Sequence, residues 1–141
     1  MRRDGAGLEV LSREESLALL ASVPVGRVVY TDRALPAILP VNFALDIDET
    51  VVFRTGAGSK LAAATREAVV AFEVDSFDAD AKSGWSVVAV GRSRVVEDSA
   101  EIERLSKLEI GTWVRMNPKH YVKIEMYQVS GRRLRPDGQA E

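Results

Sequence analysis

Arg54, Thr55, Ser59 and Lys60 lie close together in the chain, and their types suit one task, the holding of a phosphate dianion. Two cations and two hydroxyls fall where Val52-Phe53-Arg54-Thr55-Gly56-Ala57-Gly58-Ser59-Lys60-Leu61 is predicted to run from a strand through a glycine turn into a short helix. The unpaired N–H groups and the positive dipole end of a helix start would favour the same anion. Gly56 and Gly58 remove the Cβ atoms that would hold a ligand away from the backbone. The spacing is not that of a P-loop, because Lys60 follows Ser59 and precedes Leu61, so nucleoside triphosphate hydrolysis is not supported. The same residues also admit a plainer reading, with Ser59 as an ordinary N-cap after a turn and Arg54 as a surface arginine on an edge strand.

Other candidates carry less. Glu73 and Asp75 share one face of a predicted strand, which reads as a solvated face or as acceptors for loop and sugar groups before it reads as a catalytic pair. His120, the lone histidine, stands at a strand start between Lys119 and Tyr121 and reads as a surface residue; a ligand or proton-donor role is the alternative. Trp85 and Trp113 suit a core or an interface as well as a ligand. With no cysteine, disulfides, thiolate metal sites and cysteine nucleophiles are excluded, and no metal site is expected. A net charge of −2 argues against nucleic acid, and the basic run Arg132-Arg133-Leu134-Arg135 reads as a solvated tail. No apolar run approaches a membrane span, and the first residues do not form a secretory signal, so a cytoplasmic setting is expected.

The elements that must position these residues are mostly strands. Ser12 and Glu15 form a capping box before a short amphipathic helix that Val23-Pro24 stops. Strands are expected at Gly26–Thr31, Pro36–Leu45, Val51–Thr55, Ala68–Asp75, Trp85–Val96 and Tyr121–Val129, with helices at Lys60–Thr65 and Ser99–Leu108. Asp46-Ile47-Asp48-Glu49 is a polar hairpin turn. Pro40 cannot donate to a sheet ladder, so it implies a bulge, an edge or a ligand-facing position. Gly91 is where a long strand would bend or bulge. The fold class is mainly β with peripheral α, an antiparallel barrel of about six strands with short helices. The chain divides into an arm at residues 1–10, one domain at 11–131 and a disordered tail at 132–141.

Taken in order, Gly26-Arg27-Val28, Pro40-Val41-Asn42-Phe43, Phe53-Arg54-Thr55, Gly58-Ser59-Lys60, Phe72-Glu73-Val74-Asp75 and Ser83-Gly84-Trp85-Ser86-Val87 resemble the pyridoxamine-phosphate-oxidase-like flavoproteins, and most closely their small actinobacterial and nitroimidazole-reductase-like branch. The resemblance runs from about Leu11 to Val129. It implies a split β-barrel and a homodimer with FMN between the subunits. Arg54 and Lys60 would then hold the FMN phosphate, with Thr55 and Ser59 adding hydroxyl bonds. Pro40, Val41 and Asn42 would lie along the ring, Phe53 and Leu61 would line the flavin and the phosphate turn, and Trp85 and Ser86 would come from the opposite subunit. The implied activity is electron transfer from a reduced nucleotide to a small organic acceptor. A non-catalytic flavin or haem carrier and a deazaflavin-dependent reductase are the alternatives. The chain shows no counterpart of the Trp and Arg segment that completes the oxidase's own substrate site, so pyridoxamine phosphate oxidation is not expected.

Overall fold

β-Branched residues alternating with polar ones run through most of this chain, and such segments can bury one face only by pairing into a sheet. A computed structural model describes residues 2–56, 59–112 and 120–136. In chain order the elements are β1 (Glu9–Leu11), α1 (Arg13–Leu20), β2 (Val25–Asp32), β3 (Leu35–Leu45), β4 (Val51–Thr55), α2 (Lys60–Ala64), β5 (Ala68–Asp78), β6 (Ser83–Val95), α3 (Ser99–Leu105) and β7 (His120–Leu134). Every strand pairing among them is antiparallel. The order β7-β4-β3-β2-β5-β6 closes on itself because β6 also pairs with β7, and β1 adds to the far half of β7. Six strands therefore make the barrel that the patterning predicts, and the seventh is short.

Closure buries one face of each strand. Val28, Phe43, Phe53, Phe72, Val87 and Ile124 meet in the interior, with Phe43 and Phe72 edge to face at 4.8 Å between ring centroids. On β5 the buried residues are Val70, Phe72 and Val74, alternating with Glu73 and Asp75 as the sequence indicates. A second small cluster of Val52, Val96 and Leu105 packs α3 against the barrel. The β6–β7 register shifts between Val90 and Gly91, so the bulge falls where the glycine was expected to put it. A Cβ on Gly91 would collide with the carbonyl oxygen of Glu125.

Pro40 has its explanation in the register. β3 pairs with β2 along its length but meets β4 only at Phe43, Ala44 and Leu45. Residues 35–42 thus keep one edge outside the β3–β4 ladder, where a missing N–H costs nothing. This gap is the split in the barrel.

Two expectations are corrected. The stretch taken as an arm is hydrogen-bonded into the fold: Val10 donates to the Arg2 carbonyl at 2.7 Å, Arg132 reaches Asp4 at 2.9 Å, and Glu9 to Leu11 form β1. The tail does not begin at Arg132, because β7 runs to Leu134 and its last residues pair with β1 and β6; residues 137–141 lie outside the described residues. The Asp46–Glu49 segment is the hairpin turn that the sequence indicates, and within it the Asp46 side chain has no exposed surface and is ion-paired.

Candidate functional site

The barrel's split opens into a cavity of about 370 Å³. One wall is the free-edged part of β3, with Leu39, Pro40, Val41 and Asn42. The opposite side is the end of β4 and the start of α2, with Arg54, Thr55, Gly56, Ser59 and Leu61, and Ile110, Gly111 and Thr112 close it from the segment after α3. The lining is apolar along β3 and polar at the β4–α2 end. Such a cavity suits a flat apolar ring carrying an anionic arm, so the residues fit a flavin nucleotide.

Most of the residues chosen from the sequence meet here. Pro40, Val41, Asn42, Arg54, Thr55, Ser59 and Leu61 all line this one cavity. The Thr55 and Ser59 hydroxyls touch at 2.9 Å, and Ser59 accepts from the Ala62 N–H at 3.0 Å as the N-cap of α2. Asn42 donates toward the Pro24 carbonyl at 3.5 Å.

Four residues are placed elsewhere. Phe53 is fully buried in the barrel core. Lys60 turns to Asp32, with 3.9 Å between ammonium and carboxylate, and three-quarters of its side chain is exposed. Trp85 and Ser86 sit half-buried on β6, opposite Arg133 and Arg132 of β7. The two cations expected to converge therefore face different neighbours: Arg54 Nη2 donates to the carbonyls of Ile110 and Gly111, each at 3.2 Å. The helix start is also weaker than expected. α2 has five residues, too few for an appreciable dipole, and its cap already takes one of its N–H groups. Gly58 and Trp113 lie outside the described residues, and His120 opens β7 opposite Thr55.

Ile110, Gly111 and Thr112 were missed because nothing in their types marks a ligand wall. Arg54 holds the Ile110 and Gly111 carbonyls directly and Ile110 packs on the Val52, Val96 and Leu105 cluster, while a long-range charge network anchors α3, the helix that precedes them. Arg104 of α3 holds buried Asp46 through two bonds of 2.8 and 2.9 Å, and Lys123 of β7 reaches Asp46, Asp48 and Glu101 at 3.0, 2.9 and 3.3 Å. The Arg104 hydrogen bond, helped by Lys123 and opposed by burial, holds the Asp46 carboxyl far below its ordinary value. This network fixes α3 to the β3–β4 turn, and α3 leads into the cavity wall.

On the outer face of the sheet, Arg27 bridges Glu73 at 2.9 Å and Asp75 at 3.2 Å. Burial, and then the neighbouring Asp75, push the Glu73 carboxyl up to about 7 despite Arg27. Among the described residues no group of His, Cys, Asp or Glu could hold a metal ion, and no helix is long and apolar enough to cross a membrane.

Comparison with known proteins agrees with this architecture. The family model described as pyridoxamine 5'-phosphate oxidase matches residues 12–133. The uncharacterized protein Rv0080 of Mycobacterium tuberculosis is 42% identical over 132 residues, covering 90% of this chain and 86% of that protein. An FAD-binding protein from Mycobacterium smegmatis superposes with a TM-score of 0.76 at 37% identity, covering 89% of this chain and 98% of that one. An FAD-binding protein from Mesorhizobium loti does so with a TM-score of 0.69 at 25% identity, covering 90% and 98%.

Proposed function

The chain belongs to the pyridoxamine 5'-phosphate oxidase-like family, and on that premise we propose that it binds a flavin nucleotide between two copies of itself and acts as an oxidoreductase on a small organic molecule. The observation that carries this reading is the gathering of Pro40, Val41, Asn42, Arg54, Thr55, Ser59 and Leu61 around one cavity with an apolar wall and a cationic, hydroxylated end. A bound flavin would supply two-electron redox chemistry. The chain's part is to hold and orient it. Leu39, Pro40 and Val41 would pack along the ring, and the open edge of β3 would offer backbone groups to the ring's polar rim. Arg54, Thr55 and Ser59 would take the phosphate, with Lys60 at its edge. Trp85 and Ser86 would approach the ring from the second copy.

A second copy also accounts for the outer face of the sheet. Ile38, Val29, Ala71 and Val90 are successive cross-strand partners on β3, β2, β5 and β6, and Ile38 is 64% exposed. An isologous contact over this apolar row would remove it from water and complete the site.

FMN is the flavin implied by the sequence resemblance, and the FAD-binding relatives favour the longer cofactor. The first test is an absorbance spectrum of the purified protein. A yellow protein releasing about one flavin per chain is the expected result, and a colourless protein that ignores added FMN and FAD would refute the reading. Oxidation of a reduced nicotinamide nucleotide with a quinone or nitro acceptor tests turnover, and flavin binding without it would make the protein a carrier.

A further inference from the structure

Glu73 stands on the outer face of the sheet, one step along from the apolar row of Ile38, Val29, Ala71 and Val90. We propose that Glu73 gates the contact between two copies by its proton: protonated, it lets the outer faces close over each other, and ionised, it holds them apart and opens the flavin site. The proposal rests on the two-copy reading above and adds its regulation.

The first argument is position. Glu73 follows Ala71 by two residues on β5, so it shares that face about 7 Å further along the strand. Its cross-strand partners are Arg27 on β2 and Val88 on β6, and Arg27 is in turn opposite Pro40, a wall residue of the main cavity. A stable interface takes about 800 Å² from each partner, roughly 28 Å on a side. A contact that covers the apolar row cannot stop short of the row beside it.

The second argument is a count of charge. Arg27 gives one nitrogen, Nη1, to both Glu73 at 2.9 Å and Asp75 at 3.2 Å. With both carboxylates ionised the triad carries one net negative charge, and with Glu73 protonated it carries none. An isologous contact doubles whichever state it meets. Among the described residues the neighbouring strands bring no second cation to the triad. On β6, Val88 is opposite Glu73, Ser86 is opposite Asp75, and Arg92 lies further off, opposite Val69. Arg132 of β7, beyond Ser86, is held by Asp4 at 2.9 Å. On the free sheet each carboxylate side chain is still about one-quarter exposed, and water solvates the surplus charge. Beneath a second copy that water is gone, and an unbalanced carboxylate becomes costly.

The single chain already favours the proton at this position. Burial, and then Asp75, push the Glu73 carboxyl up to about 7. Further burial without an added cation pushes it higher. Assembly therefore takes up protons. The stabilisation of the dimer is complete below about 7 and is lost as pH rises from there through the higher value of the covered group.

The test is the dimer dissociation constant of the full-length protein, measured by sedimentation from about pH 6 to about pH 9 with released flavin followed in the same samples. The constant should stay level to near neutrality and then climb at least about tenfold, since each carboxyl held one pH unit more tightly in the dimer contributes about a factor of ten. Flavin should leave over the same range. Glu73→Gln should keep the constant within about twofold throughout and retain the flavin, because no proton is left to lose there. Asp75→Asn should flatten the profile by another route, since Arg27 then balances an ionised Glu73 by itself. A wild-type constant that is level, or that falls as pH rises, would overturn the proposal and leave the two-copy reading standing. So would a climb that persists unchanged in either variant, or flavin that stays bound while the dimer parts. A chain that is monomeric at every pH refutes the two-copy reading, and this proposal with it.

Discussion

Both carbonyl bonds of Arg54 come from Nη2, which among the described residues leaves Nε and Nη1 to receive an anion. The same guanidinium thus closes the cavity wall and presents donors to its interior. Arg54→Ala should weaken flavin binding by about 10- to 100-fold, from the roughly 1.5–3 kcal/mol of a charge-assisted hydrogen bond, and Arg54→Lys should fall between because a point charge cannot fork. Fluorescence titration measures both. Glu73 makes the stability pH-dependent. Its folded-state value of about 7 stands above the ordinary 4.5, so the folded chain keeps a proton that the unfolded chain releases. Stability from this group is present at low pH and is lost as pH rises from about 4.5 through about 7. Glu73→Gln should flatten the change in urea midpoint across that window. Arg54, Thr55 and Ser59 were legible because their types and spacing are local. The direction of Lys60 was not, since Asp32 on a different element decides where a flexible side chain rests.

Among the elements, strands were easier to read than turns. Alternation marked β5 and the middle of β7, and Gly91 marked the bulge in β6. Gly91→Ala should cost about 3 kcal/mol or more, at or beyond the upper end for an overpacked position, because the obstacle is the Glu125 backbone and not a movable side chain. The urea midpoint should fall accordingly. The Asp46 turn was read as a hairpin, but the burial of Asp46 was not legible, because its partners Arg104 and Lys123 lie far along the chain. Asp46→Ala should destabilise by roughly 3 kcal/mol, the lower end for a broken buried pair, since Asp48 and Glu101 still face Lys123. It should also weaken flavin binding, because α3 carries the chain toward the Ile110–Thr112 wall. A variant with lowered stability and unchanged affinity would show that the wall stands without the network.

For the molecule as a whole, the apolar row from Ile38 to Val90 predicts a dimer, and sedimentation velocity at micromolar concentration should show about two chains per particle. Ile38→Asp should shift that to one and release the flavin, as the site would lose its second wall. The barrel was legible from hairpin-spaced strands, and the pair that closes it was not, because that depends on how β7 divides itself. That strand borders β1, β4 and β6 at once, yet it comes after all of them in the chain. While the polypeptide is emerging from the ribosome, β4 and β6 must wait with raw edges until it arrives. Unpaired strands of that kind recruit one another between nascent chains. The soluble yield of this protein should therefore depend on how fast it is translated and on the chaperones at hand, more than on the strength of the finished fold.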